Sequence, residues 1–210
     1  MSTGYGVNLA LFRPTDREMS RRALRLTRPT RLAVGNLVGL KRHRMMVEAL
    51  VGLPAVDLVI VGEGPERAAI EALAGERRVA DRVRLLGQMP QDRHPDIYNA
   101  AELLLLVSTH EGWPNVLLES MAGGTPVIVS EIDGIADIVA APEAGRIVRE
   151  PTPDRLAVAA RDFLAALPAR TATRAYAERF DWQSTPEGQI ALFREIRKRR
   201  PSGRCAAHAA

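Results

Sequence analysis

The fold follows from residues 103–139, which read LLLLVSTHEGWPNVLLESMAGGTPVIVSEIDGIADIV. The run Leu103–Val107 has no polar alternation, and this predicts a strand that is covered on both faces. A turn containing proline then starts a helix over Asn115–Ala122, and Gly123-Gly124 ends it before a second strand at Pro126–Val129. A strand, a helix and a strand in this order predict parallel strands joined by a right-handed crossover.

The same alternation continues on both sides of this unit. Four more strands are predicted at Arg31–Asn36, Val56–Val61, Val83–Leu86 and Arg146–Val148. Helices are predicted at Lys41–Val51, Glu66–Ala74, Pro95–Ala100, Ile135–Val139 and Pro153–Ala166. Residues 30–168 therefore predict an α/β fold: a doubly wound, Rossmann-like parallel sheet of six strands with helices on both faces. Met1–Pro29 lacks this alternation, apart from a short helix at Arg17–Leu26, and we expect it to lie outside the core.

Composition limits the classes of protein and of partner. A chain of 210 residues, 46% hydrophobic and 26% charged, suits one soluble core, and it has no apolar run of the roughly 20 residues that span a membrane. The start lacks a signal peptide and the only cysteine is Cys205, so we expect a cytoplasmic protein without disulfides. The net charge of +4, nearly all from arginine, favours anionic partners, although codon bias is an open alternative. No basic strand interleaved with aromatic residues suggests nucleic acid.

Polar residues follow the predicted strands at Asn36–Lys41, Gly62–Pro65, Gly87-Gln88 and Thr109–Asn115. In an open parallel sheet the ligand binds outside the carboxyl ends of the strands. Two carboxylates, Glu111 and Glu119, stand eight positions apart around a helix start. The helix start suits phosphate groups, and the acids accept hydrogen bonds from sugar hydroxyls, so the pattern suits a nucleotide-linked sugar.

Five motifs, in this order, resemble the nucleotide-sugar-binding half of the family 4 glycosyltransferases. They are Val34-Gly35-Asn36-Leu37 with Lys41, the GEGP turn at 62–65, the LGxxP loop at 86–90, the EGxPNVLLExMAxGxPV block at 111–127, and GIxDIV at 134–139. The resemblance extends over about residues 30–196. It implies one half of a GT-B fold and a retaining transfer of sugar from a nucleoside diphosphate to a hydroxyl acceptor, without metal or cofactor.

The resemblance also suggests how the rest of the chain is organised. Gly6–Pro14 resembles the segment that joins the two halves of such enzymes, so residues 1–29 are expected to be an interdomain hinge remnant. The N-terminal domain that binds the acceptor is then absent from this chain. Residues 169–198 are expected to form helices that would pack on that domain, and residues 199–210 a disordered tail.

The family resemblance also implies roles for the residues of the donor-binding site. The resemblance implies that Glu119 binds the ribose, that Glu111 contacts the transferred sugar and that Lys41 neutralises the diphosphate, the last two acting in catalysis. Asn36 departs from the arginine that many relatives carry. The other donor-binding residues expected are Gly87, Gln88 and Met89 beside the base, His110 near the sugar or phosphate, and Gly112, Pro114, Asn115 and Val116 along the diphosphate. Ordinary turns, caps and solvated side chains are the competing interpretations.

Several hypotheses about partners stay open. The chain is a fragment of a longer transferase, one subunit of a split transferase with a separate acceptor-binding subunit, or a non-catalytic nucleotide-binding or interaction module. Exposed apolar residues of a predicted helix at Pro186–Arg197 suggest self-association through Ile190, Leu192, Phe193 and Ile196. The basic segment Arg197–Arg204 suggests peripheral contact with anionic lipid, with a solvated tail as the alternative.

Overall fold

The computed structural model describes residues 6–180, and within them the predicted six-stranded sheet is confirmed. Its strands are β1 Thr30–Val34, β2 Asp57–Val61, β3 Val83–Gly87, β4 Leu103–Leu106, β5 Val127–Ser130 and β6 Gly145–Val148. All pair in parallel, in the spatial order β3-β2-β1-β4-β5-β6. The order reverses between β1 and β4, and this reversal is where such sheets open a crevice for a ligand.

The helices are α1 Arg17–Ala23, α2 His43–Ala49, α3 Arg67–Glu76, α4 His94–Ala100, α5 Asn115–Ala122, α6 Ile135–Ile138, α7 Pro153–Ala165 and α8 Arg170–Ala177. Helix α5 has the predicted bounds. Helix α2 is shorter than the predicted Lys41–Val51, because Arg42 takes a left-handed conformation with φ 51° that separates a 3-10 turn at Gly39–Lys41 from the helix. A left-handed residue cannot continue a right-handed helix.

Two apolar layers cover the sheet, as the pure apolar run of β4 predicted. Leu104 and Leu106 pack on one face and Leu103 and Leu105 on the other, because successive side chains of a strand point to opposite faces. Helices α4, α5, α6 and α8 supply buried residues to the first layer. Helices α2, α3 and α7 supply the second.

The expectation that residues 1–29 lie outside the core is wrong for the described part of that segment. Val7 and Phe12 are each only 2% exposed and belong to the first apolar layer. Arg174 of α8 reinforces the contact, since its Nη1 donates to the carbonyls of Phe12 at 2.6 Å and Ala122 at 2.9 Å. The segment was missed because its buried residues follow no helical or strand period.

After α7 the chain returns to the same body. Helix α8 packs on α5, with Tyr176 and Ala177 buried in the first layer. It starts at Arg170, within the range 169–198 where helices were predicted, and a 3-10 turn at Glu178–Phe180 follows it. The predicted helix at Pro186–Arg197, with its apolar residues, and the tail lie outside the described residues. Among residues 6–180 no helix is both long and apolar enough to cross a membrane.

Candidate functional site

The loops after β1 and β4 flank the crevice and are joined to each other. The backbone N–H of Thr109 donates to the carbonyl of Leu40 at 2.9 Å. On its other side the β1 loop is tied to the turn after β2, since Leu37 N–H donates to the Glu63 carbonyl and Glu66 N–H donates to the Leu37 carbonyl. The predicted polar loops at the switch point therefore form one connected backbone unit.

Lys41 and Glu111 meet across this crevice. Lys41 Nζ lies 2.6 Å from Glu111 Oε1 and 2.8 Å from Oε2, and the two side chains are only 19% and 11% exposed. Ser108, fully buried at the end of β4, also donates to Glu111 Oε1, at 2.5 Å. Hydrogen bonds from an ammonium group and a hydroxyl group fix the orientation of the carboxylate. The structure thus brings together both residues that we expected to act in catalysis.

The stem of Lys41 passes against Gly35. A Cβ on Gly35 would lie 3.4 Å from Lys41 Cε and 3.7 Å from Nζ, and the residue has φ +150°. The φ value favours glycine here, whereas the space would admit a Cβ, since 3.4–3.7 Å is ordinary van der Waals contact. The glycine of the VGxL motif therefore supplies the backbone conformation against which the lysine stem lies.

Asn36 is exposed in the same loop. Two arginines that could replace the missing charge, Arg42 and Arg44, line a separate cavity of about 320 Å³ with Gly39, Met45, Glu48 and Glu66. Arg42 is half-buried and Arg44 is exposed. The described contacts place neither arginine against Glu111.

Glu119 lies in the second turn of α5 and forms a second cluster. The hydroxyl of Tyr98, a fully buried residue of α4, donates to Glu119 Oε2 at 2.8 Å. Burial raises the pKa of Glu119, while hydrogen bonds from Tyr98 and Gln91 and the charge of His94 act to lower it. Burial, with the nearby Glu119 carboxylate, also raises the pKa of Tyr98 well above its ordinary value, so Tyr98 remains a hydrogen-bond donor at neutral pH.

A cavity of about 210 Å³ opens beside Glu119. Its polar lining comes from Glu119, Asn115 and Gln91, together with Asn8 of the N-terminal segment. Its apolar lining comes from Val7, Leu11 and Phe12. The segment that we expected to be only a connection therefore forms one wall of a cavity at a predicted site residue.

Glu119 and Asn115 thus share a cavity, and Glu111 and Lys41 share an ion pair. No described contact joins the two clusters, so the hypothesis that both acids face one bound ligand stays a prediction. Helix α5 and the loop before it connect the clusters along the chain, with Asn115 and Gly112 both exposed.

The remaining predicted residues fall in two places. His110 is exposed beside Glu111, Pro114 is buried at the N-terminus of α5, and Val116 packs partly on the core. After β3, Gly87 has φ +77°, Gln88 is exposed and Met89 packs on the core.

The sequence analysis assigned no individual role to four residues at these places, although it included Glu63 in the GEGP turn. Glu63 lies over Gly87, where its Oε1 is 2.9 Å from the position a Cβ would occupy. Gln91 and Tyr98 contact Glu119, and Ser108 contacts Glu111. Glu63 left a signal as part of the GEGP turn, and Ser108 as the first polar residue after an apolar strand, whereas Gln91 and Tyr98 left none. Over residues 6–180 the side chains of His, Cys, Asp and Glu form no group of three or more suited to a metal ion.

Comparison with known proteins adds independent information. A family model described as glycosyl transferases group 1 matches residues 15–180. The D-inositol 3-phosphate glycosyltransferase of Mycolicibacterium gilvum is 33% identical over 90% of this chain and 45% of its own length. The protein of the same name from Acidothermus cellulolyticus is 35% identical over 90% of this chain and 46% of its own length.

A solved structure supports the same assignment. Sucrose-phosphate synthase from Thermosynechococcus elongatus superposes with a TM-score of 0.83 and 31% sequence identity, over 93% of this chain and 52% of that protein. The chain therefore spans about half the length of the relatives that it matches.

Proposed function

Because this chain belongs to the glycosyl transferases group 1 family, we propose that it is the half of a glycosyltransferase that binds a nucleoside diphosphate sugar. The observation that carries the proposal is the ion pair of Lys41 with Glu111 at the switch point of the sheet. It puts a cation for phosphate and an acceptor for sugar hydroxyls at the position where such sheets bind ligands.

The two clusters take different parts of the donor in this proposal. Lys41 has three N–H donors and directs two of them at Glu111, which leaves one for a diphosphate oxygen. Glu111 accepts from a hydroxyl of the transferred sugar. Glu119, with an oxygen that Tyr98 does not occupy, accepts from the ribose hydroxyls in the cavity beside α5.

In the reaction that we propose, the bond between the anomeric carbon and the diphosphate oxygen breaks. The acceptor oxygen bonds to the same carbon, with retention of configuration, and the acceptor proton leaves with the diphosphate. Negative charge grows on the leaving oxygen, where Lys41 and the N-terminus of α5 stabilise it. We expect this transfer to need neither metal nor cofactor. Acceptor binding would depend on protein outside these 210 residues, since the relatives are about twice as long.

Calorimetric titration of the chain with UDP, GDP and ADP tests donor binding. We expect one of these nucleotides to bind, and Glu119→Ala to weaken that binding at least about tenfold through the lost ribose contacts. Glu71→Ala, at an exposed acid of α3, is the control and should bind like the unmodified chain. Absence of binding, or equal binding by Glu119→Ala, would contradict the proposal.

A further inference from the structure

Ser108 holds a carboxylate that the proposed function places against the sugar. Its hydroxyl donates to Glu111 Oε1 at 2.5 Å from a side chain that is fully buried. We propose that Ser108 is a positioning residue, which fixes the Glu111 carboxylate for the transferred sugar without touching the ligand. This inference rests on the proposed function, because it assigns Glu111 to the sugar of the donor.

The backbone that carries Ser108 is itself anchored. The Ser108 carbonyl accepts a hydrogen bond from the hydroxyl of Ser130, at the end of the neighbouring strand β5, at 2.6 Å. Ser130 is also buried, at 2% exposure. A chain of hydrogen bonds thus runs from β5 through Ser108 to Glu111, and it fixes the orientation of the carboxylate relative to the sheet independently of Lys41.

The hydrogen-bonding capacity of Glu111 shows why the hydrogen bond from Ser108 matters. A carboxylate has about four acceptor positions on its two oxygens. Lys41 approaches both oxygens and Ser108 approaches Oε1, so Oε1 accepts two hydrogen bonds and Oε2 accepts one. The open position is therefore on Oε2. An ammonium group alone, as a point charge on a flexible stem, lets the carboxylate rotate and exchange its oxygens. The serine hydroxyl selects Oε1 and leaves Oε2 for the sugar.

A positioning role makes a prediction that a role in stability alone does not. Loss of the Ser108 hydroxyl should weaken binding of the nucleotide sugar more than binding of the nucleotide, because only the sugar meets Glu111. A general loosening of the fold would weaken both equally. The informative quantity is the ratio of the affinity for the nucleotide sugar to the affinity for the nucleoside diphosphate.

The test measures this ratio by calorimetry with UDP and UDP-glucose, GDP and GDP-glucose, and ADP and ADP-glucose, using the base that the unmodified chain binds. Ser108→Ala should lower the ratio about fivefold, the effect expected from one hydrogen bond. Ser108→Thr retains the hydroxyl and should largely restore it. Ser120→Ala is the matched control: Ser120 is equally buried, and its hydroxyl donates to the Thr125 carbonyl at 2.9 Å rather than to either acid. It should leave the ratio unchanged.

Should Ser108→Ala not fold, Ser130→Ala removes the anchor of the same chain of hydrogen bonds and should lower the ratio in the same direction. Two outcomes have different meanings. If the unmodified chain binds none of these nucleotides, the proposed function fails. If it binds them, but the serine variants weaken nucleotide and nucleotide sugar equally or leave the ratio at the value of the unmodified chain, the inference about Ser108 is overturned and the proposed function stands.

Discussion

Lys41 Nζ lies within 2.8 Å of both carboxylate oxygens of Glu111, although 70 residues separate the two in the chain. Each side chain is mostly withdrawn from solvent, at 19% and 11% exposure. The pair therefore joins the β1 and β4 loops at the switch point of the sheet, and its strength can be measured.

Replacing either partner of this pair alone leaves a poorly solvated charge. We expect Lys41→Met and Glu111→Gln each to lower the free energy of unfolding by about 1–3 kcal/mol, less than the full cost in a buried pair because both groups retain some water. The double variant should lose less than the sum, with a coupling of about 1 kcal/mol in urea unfolding. The exposed pair Arg155 and Glu150 is the control, where the coupling should stay below about 0.5 kcal/mol. Additive losses at Lys41 and Glu111 would contradict this expectation.

Glu119 predicts a pH dependence of stability. Burial raises its pKa in the folded state, against the lowering effect of Tyr98, His94 and Gln91. The folded chain therefore binds the proton more tightly than the unfolded chain, and stability falls as pH rises from the unfolded pKa through the folded pKa. Glu119→Gln removes this contribution. As pH rises between the two pKa values of Glu119, the unmodified chain should therefore lose stability relative to Glu119→Gln. Urea unfolding of both proteins at a series of pH values measures this difference in the free energy of unfolding.

The matched variant Glu71→Gln, at an exposed acid, should show no such trend. A difference between Glu119→Gln and the unmodified chain that stays constant with pH would show that Glu119 titrates alike in both states.

His43 predicts the opposite dependence in mild acid. Burial first, and the charge of Lys41 second, lower its pKa from 6.5 to about 4. Between these two pH values His43 is protonated in the unfolded chain but neutral in the folded chain. The free energy of unfolding therefore decreases as pH falls from about 6.5 to about 4. The loss attributable to His43 is about 3 kcal/mol at the acid end. His43→Leu should abolish it, and thermal or urea unfolding at pH 7 and pH 4.5 measures the change. Parallel pH profiles for the two proteins would refute the assignment.

Two buried arginines should respond oppositely to the same substitution. Arg31 in β1 is 1% exposed, and its guanidinium makes no hydrogen bond to residues 6–180. Burial lowers the pKa of Arg31 to about 10, although the charge of Glu102 acts to raise it. Arg21 in α1 donates to the carbonyls of Ala100 and Arg28 at 2.9 and 2.8 Å. We expect Arg31→Met to raise the free energy of unfolding by about 1–3 kcal/mol, since an unsatisfied group is removed, and Arg21→Met to lower it by a similar amount. Urea unfolding of the two variants measures both changes. A lower free energy of unfolding in both variants would show that the Arg31 guanidinium has hydrogen-bond partners in solution.

The sheet and its crevice were predictable because their signals are local. Leu103–Leu106 carries only apolar residues, and a strand of that composition has to be covered on both faces. Pro114 and Gly123 mark the two ends of α5, so its bounds agreed with the prediction. The order of polar loops along such strands then indicates where a ligand lies, because all parallel strands end at one edge of the sheet.

The contacts within the site were not predictable in the same way. That Tyr98 donates to Glu119 depends on how α4 and α5 pack, and a tyrosine on the apolar side of a short helix gives no sign of a polar partner. The left-handed Arg42 breaks a helix that its propensity would continue. Val7 and Phe12 enter the core without any periodic pattern, because tertiary contacts decide their burial, such as the edge contact of the Phe12 ring with Tyr98 of α4.

The N–H of Val7 donates to the carbonyl of Phe180 at 2.9 Å, so the first and last described residues of the body nearly touch. The two ends of the described body, near residues 6 and 180, therefore lie side by side. The same adjacency would let a short linker close the two ends and new termini open elsewhere, as in a circular permutant.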